Sequence, residues 1–292
     1  MTDKNKSRSL WGDAWYRLRK NPGAMIGLVI VIIMVVVALL APMIAPHDPY
    51  QAFMDKGLTN LGSPVGPSSF FPLGTDQNGR DLLSRLLYGA RVSLTLGVVI
   101  TTLNAFIGIL VGVVAGYFGS WVDTLMMRLT DIVLAFPFLL FMIALLAVLQ
   151  PGMKSIIIAF VAVGWAGYAR LVRGQVLSVK ETEYILASRA IGSSTSRIVF
   201  QHVLPNVIAP IIALFSLGIS GVIIGEATIS FLGLGIQQPQ ASWGNMIQSG
   251  ASWMNTAPWL VFYPGLALLL TTVGFNLLGD GLRDALDPHL RR

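Results

Sequence analysis

Long uncharged apolar runs alternate along the chain with short polar segments, and most of these runs match a bilayer core, which takes about 20 apolar residues to cross as a helix. The runs are Ala24–Ile44, Val92–Val122, Ile132–Met153, Val207–Gly225 and Trp259–Gly279. A shorter one, Ser155–Ala169, lies between Lys154 and Arg170, whose long side chains can snorkel to the two interfaces. The pattern therefore predicts an all-α integral membrane protein with six transmembrane helices. The basic flank and small residues around the first run also fit a cleaved signal peptide. Its apolar core is longer than the roughly 7–15 residues of a signal sequence, so it reads as a retained helix.

Inside these runs, glycine and proline carry further information. Gly108, Gly112 and Gly116 recur at four-residue steps and share one helix face, where a second backbone can approach closely, which predicts a helix-packing stripe. Pro137 predicts a kink in the third span, because one backbone hydrogen bond is lost there. Gly221, Gly225, Pro264 and Gly265 could permit bending, although such residues are common in membrane helices.

Between the first two spans, Leu82, Leu83, Leu86 and Leu87 fall on one helical face, with Asp81, Arg85 and Arg91 opposite. Two readings fit this pattern: a helix lying in the bilayer interface, or a short helix docked on the protein body.

Composition agrees with the pattern. The chain has 292 residues, 54% hydrophobic and 12% charged, with a mean hydropathy of +0.70; soluble domains carry roughly 25% charged residues. There is no cysteine, which excludes disulfides, thiolate metal sites and cysteine nucleophiles. His47, His202 and His289 are too far apart to suggest a metal site.

The net charge of +6 is informative through its distribution and does not point to nucleic acid. With the N-terminus inside, one side of the membrane holds fifteen basic residues: Lys4, Lys6, Arg8, Arg17, Arg19, Lys20, Arg128, Arg170, Arg173, Lys180, Arg189, Arg197, Arg283, Arg291 and Arg292. The other side holds five: Lys56, Arg80, Arg85, Arg91 and Lys154. The bias predicts that both termini face the cytoplasm. The expected organisation is a cytoplasmic tail over 1–23, a first transmembrane helix over 24–46 and an extracytoplasmic loop with an interfacial helix over 47–91. A five-helix core over 92–279 then includes a cytoplasmic loop at 170–206, and a cytoplasmic tail follows over 280–292.

That cytoplasmic loop, RLVRGQVLSVKETEYILASRAIGSSTSRIVFQHVLPN, reads as a helix, a glycine break at Gly192 and a second helix lined by Ile198, Val199, Val203 and Leu204. Tyr184, Ala187, Ser188 and Ile191 share a face of the first helix, and Pro205 opens the next span. Small residues on an exposed helix suit a groove on another protein. The same pattern also suits an interfacial helix that buffers the bundle.

The segment resembles the loop of inner-membrane subunits of binding-protein-dependent ATP-binding-cassette importers, whose pattern is E-A-A, three residues, G, nine residues, I-x-L-P. Ala187, Gly192, Leu204 and Pro205 match it, with Ser188 at the second alanine position, while Leu186 and His202 stand where the family has glutamate and isoleucine. LGTDQNGRDLLSRLLYGARVSL, EATISFLGLGIQQPQASWGNM and NLLGDGLRDALDP are similar to recurring segments of the dipeptide, oligopeptide and nickel permease group.

The resemblance implies the type I importer permease fold in a bacterial or archaeal cytoplasmic membrane. It implies a half-channel for di- or oligopeptides, paired with a homologous second permease subunit, two ATPase subunits and an extracytoplasmic substrate-binding protein. Glu183, Tyr184, Ala187, Ser188, Arg189, Ala190, Ile191 and Gly192 would form the helix that couples to an ATPase, with Pro205 at its far boundary. ATP and magnesium would be bound by those ATPases. No cofactor is expected in this chain, which lacks the G-x-x-x-x-G-K-[ST] phosphate loop and any Ser-His-Asp or paired-carboxylate arrangement suited to catalysis.

Glu226, a carboxylate between long uncharged runs, is expected either to wall the translocation path or to cap an interface by pairing with Arg91 or backbone amides. Arg128 and Asp131 can pair at i, i+3. At the C-terminus, Asp280, Arg283, Asp284 and Asp287 before Pro288 suggest a short helix that braces the ATPase or simply ends in solvent. Two rival classes remain, a secondary transporter and a membrane scaffold. The first would call for a midplane charge relay and often an internal repeat, neither of which is visible apart from Glu226.

Overall fold

The computed structural model of the protein describes residues 10–286. Twelve α-helices and one π turn make up its regular structure, with three isolated β-bridges in the loop after the first long helix. Helix α1, Leu10–Lys20, precedes α2, Pro22–Ile44, and a short α3, Met54–Gly57, follows. Then come α4 (Leu82–Phe118), α5 (Ser120–Ala135), α6 (Phe138–Val148) and α7 (Met153–Lys180). The remainder are α8 (Glu183–Ala190), α9 (Thr195–Ile198), a π turn (Val199–Val203), α10 (Leu204–Phe231), α11 (Trp243–Ala251) and α12 (Trp259–Leu286). Lys4, Lys6, Arg8, Asp287, Pro288, Arg291 and Arg292 lie outside the described residues.

Among the described residues, five helices are long and apolar enough to cross a bilayer, and the α5–α6 pair makes a sixth if it counts as one broken span. That pair departs from the expected kinked helix over Ile132–Met153. The chain bends by 88° between α5 and α6, at the residues around Pro137. Phe136 and Pro137 both take extended conformations there. Proline disfavours a helical residue before it, so the helix ends rather than bends.

The expected interfacial helix after the first span is also corrected. Its leucine-rich segment is the first two and a half turns of α4, a single 37-residue rod with no separate surface helix. Leu82 is 1% exposed and Arg85 2%, so the segment is buried in protein rather than lying on lipid. A feature not anticipated in the N-terminal tail is α1, whose buried Leu18 packs with Ala24 and Ala285.

The helices form two layers. In one, α4 packs along α7 over most of its length. A Cβ on Gly112 would sit 2.7 Å from the Ala169 carbonyl oxygen, and one on Gly116 would sit 2.8 Å from Val176 Cβ; Gly108 meets Tyr168 and Trp165 in the same way. Only glycine lets the two backbones come this close.

In the other layer α12 lies between α2 and α10. A core of Leu96, Ile100, Met142, Ile156, Phe160 and Ile229 joins α4, α6, α7 and α10. Helix α2 is peripheral, presenting Ile26, Val29, Ile33, Leu39 and Met43 outward, as expected of a lipid-facing helix.

At the α11 end of the bundle, the loop after α2 is anchored by a buried ionic cluster. Asp76 Oδ2 accepts from Arg80 Nε at 2.7 Å and lies 3.1 Å from Arg85 Nε. Arg85 also donates to the Pro49 and Pro239 carbonyls, each at 3.2 Å, and Arg80 to Gln238 Oε1 at 3.0 Å. The charges are thus satisfied jointly by the two loops that cap this end. Asp81 caps α4, accepting from the Ser84 backbone at 2.8 Å.

Candidate functional site

The polar segment 170–206 begins as a continuation of α7 beyond its apolar stretch. Val172 and Val176 remain fully buried against the glycine face of α4. The opposite side of this extension is fixed by charge. Arg173 Nε and Nη2 donate to the two Asp123 carboxylate oxygens at 2.8 and 2.6 Å, a bidentate pair. Arg170 donates to Asp131 at 2.7 Å. These bonds take the place of the expected Arg128–Asp131 pair and connect α5 to α7. The i, i+3 spacing made that local pair possible, but a partner on the adjacent helix takes the carboxylate.

After Lys180, whose Nζ donates to the Gly116 carbonyl at 3.0 Å, the chain turns and α8 begins. Its root is Ile185, 0% exposed and packed with Val172, Val176, Ile198, Val203 and Val207. On one side Arg189 lies over the Tyr117 ring, 5.2 Å from its centroid. Asn206 donates to the Tyr184 hydroxyl at 3.1 Å. The rest of α8 faces outward: Glu183, Tyr184, Leu186, Ala187, Arg189 and Ala190 are exposed, Ser188 is half-buried, and Ile191 is 83% exposed.

Helix α8 ends in a Schellman motif. The Gly192 N–H donates to the Arg189 carbonyl at 2.9 Å and the Ser193 N–H to the Ser188 carbonyl at 3.1 Å. Gly192 holds φ at +81° with no atom near its Cβ position, so conformation rather than space demands glycine. The second helix starts at the Ser194 cap and widens into the π turn just before Pro205. Proline has no N–H to give and its ring crowds the carbonyl four residues earlier; an i to i−5 bond from Leu204 to Val199 moves the strand of carbonyls aside.

The structure therefore brings Glu183, Tyr184, Ala187, Ser188, Arg189, Ala190, Ile191 and Gly192 onto one projecting knob. Pro205 stands apart, at the foot of α10. Ile198, expected to line the second helix, holds the knob to the bundle together with Ile185; Ile185 was not anticipated, although an apolar residue interrupting a polar run is a signal for it.

Glu226, expected either on the wall of a pathway or as an interfacial cap, lies near the other end of α10. The side chain is 1% exposed, enclosed within the subunit. Ser230 Oγ donates to its Oε1 at 2.6 Å, and Ser230 Oγ in turn accepts from the Ile236 N–H at 3.2 Å. Ser93 of α4 and Ser242, the cap of α11, also face it. Its Oε2 and Ser93 Oγ make no hydrogen bond of regular geometry. The carboxyl joins α4, α10 and α11 and pairs with neither Arg91 nor a backbone amide. Among the described residues, no three His, Asp or Glu side chains are placed to hold a metal ion.

Residues 108–292, which contain the knob, match the family described as binding-protein-dependent transport system inner membrane component. The chain belongs to this family. This inner membrane component also matches, over residues 9–62, the N-terminal TM domain of oligopeptide transport permease C. It is 43% identical over 287 residues to the oligopeptide transport system permease protein OppC of Bacillus subtilis (strain 168), covering 98% of this chain and 92% of that protein. The di/tripeptide transport system permease protein DppC of Pseudomonas aeruginosa (strain UCBPP-PA14) is likewise 43% identical, over 95% of this chain and 91% of its own length.

Among solved structures, the MetNI methionine ABC transporter in an inward-facing conformation aligns with a TM-score of 0.58 at 17% identity, over 70% of this chain and 96% of the matched one. At that identity the likeness is one of fold. The inner membrane component is thus a multi-pass permease subunit of an ATP-binding-cassette importer.

Proposed function

We propose that this permease subunit forms half of a translocation pathway for di- and oligopeptides, and that α8 with Gly192 is the element through which separate ATPase subunits move it. In this reading a homologous permease subunit supplies the other half of the path, and two ATPases bind ATP and magnesium. An extracytoplasmic binding protein delivers the peptide. Both termini and α8 face the cytoplasm. The peptide class rests on the full-length likeness to permeases named for oligopeptides and di/tripeptides.

The observation that carries the coupling role is the contrast along α8 and its cap: Ile185 is 0% exposed while Ile191, six residues on at the C-cap, is 83% exposed. A helix rooted so firmly in the bundle with an apolar tip left uncovered is built to transmit displacement from a groove that closes over it. Closure of the ATPases on ATP would then shift the permease between two packed arrangements.

The test is Ala187→Trp in the assembled importer with expression matched to wild type. Peptide uptake should be abolished while membrane insertion and pairing with the second permease persist. Normal uptake by this variant, or labelling of residues 187–192 from outside the cell, would remove the coupling role.

A further inference from the structure

Two clefts meet at Arg91, on α4 near the α11 end of the bundle. One, of about 270 Å³, has a mixed lining in which Tyr50, Tyr88 and Gln240 stand beside Val92, Met153 and Ala241. The other, of about 330 Å³, runs between α2 and α4 over Val35, Leu39, Val98 and Val99. Arg91 and Thr95 belong to both. A single cleft region is therefore more polar on one side of the guanidinium and aliphatic on the other.

Arg91 is exposed and, among the described residues, has no carboxylate within ion-pair distance. Its guanidinium lies 5.8 Å from the centroid of the Tyr88 ring. The other arginines of this end, Arg80 and Arg85, are both committed to Asp76. From Val92 to Phe118 the helix carries no charge, so Arg91 stands where the hydrocarbon region begins, at the depth of lipid headgroups.

We propose that the paired clefts bind an anionic phospholipid. Its phosphate would meet the Arg91 guanidinium, with Tyr50, Tyr88 and Gln240 supplying further polar contacts, and one acyl chain would lie in the α2–α4 cleft. A fixed cation beside an aliphatic crevice at the membrane boundary complements an amphiphile with a negative head. A free anion would use only the polar cleft. A peptide would have to enter the aliphatic cleft from the side of α2, whose neighbouring Ile32, Val36 and Met43 are exposed like the rest of its outward face. The lipid uses both clefts and approaches from the bilayer they open toward.

The experiment uses the complete importer, with its partner permease and ATPases, purified from membranes containing phosphatidylethanolamine and phosphatidylglycerol, with bound lipid read by native mass spectrometry. Wild type should retain phosphatidylglycerol selectively. Arg91→Gln should lose about fivefold of that selectivity, the weight of one arginine near an anionic surface, and Arg91→Lys should recover most of it. Leu39→Trp, which fills the aliphatic cleft and leaves the cation in place, should lower retention of both lipids.

Equal phosphatidylglycerol in wild type and Arg91→Gln, both folded by size and melting temperature, overturns the proposal. So does Arg91-dependent binding of inorganic phosphate or of a dipeptide carboxylate without lipid. Should Arg91→Gln fail to assemble, wild type decides: chain-labelled photoactivatable phosphatidylglycerol must crosslink to residues 35–39 and 94–99 in excess of phosphatidylcholine, and equal labelling overturns the site.

Discussion

Arg85 on α4 and Asp76 in the loop before it form a buried contact, Nε to Oδ2 at 3.1 Å, with both side chains almost completely shielded from solvent. Breaking one side of a buried pair strands the other charge, at about 3–5 kcal/mol. Asp76→Ala leaves Arg80 and Arg85 as neighbouring uncompensated cations and is expected to destabilise the protein by that order. Thermal unfolding of the purified protein in detergent checks it, with the loss concentrated in the α11 end by hydrogen exchange.

Gly112 tests the α4–α7 contact. A methyl group there would stand 2.7 Å from the Ala169 carbonyl oxygen and from Val172 Cβ, so backbones must separate. Gly112→Val should cost about 1–3 kcal/mol, the usual penalty of overpacking. Gly174, on the open face of α7 with nothing near its Cβ position, is the control, and Gly174→Ala should leave the melting temperature nearly unchanged.

Gly192 separates conformation from contact. With φ at +81°, a β-branched residue is strained by about 1–3 kcal/mol, whereas asparagine tolerates this region. Gly192→Val should fray the end of α8 and reduce peptide-stimulated ATP hydrolysis in the assembled importer, and Gly192→Asn should keep most of it. Equal loss in both would mean that glycine is needed for lack of a side chain, not for its backbone angle.

Glu226 is expected to act through its hydrogen bonds. Glu226→Gln keeps an acceptor for Ser230 Oγ and should stay close to wild type in stability. Glu226→Ala leaves the buried Ser230 hydroxyl without its acceptor, costing about 1–3 kcal/mol. The two melting temperatures decide, and a Gln variant as damaged as the Ala variant would show that the carboxyl itself is required.

The spans were legible because apolar length and charge are local properties of the chain: Ala24–Ile44 and Trp259–Gly279 fall within α2 and α12. The exposed knob was legible too, since Gly192 and the small residues around it stand out against apolar neighbours. Pairings across helices were not. Asp131 has both Arg128 and Arg170 within reach by charge alone, and only the bend at Pro137 and the course of α7 bring Arg170 to it. Leu82 and Arg85 show the same limit. An amphipathic face has the same periodicity whether lipid or protein covers it, and here the loops around Pro49 and Pro239 do the covering.

Helix α4 is unbroken from Leu82 to Phe118, a rod of 37 residues or about 55 Å. One tip is clamped by Asp76 and Arg85 and the other abuts Arg189 through Tyr117. In the proposed coupling role, a tilt imposed at the knob would reach the opposite face of the membrane through a single beam, with no helix break in between to absorb it.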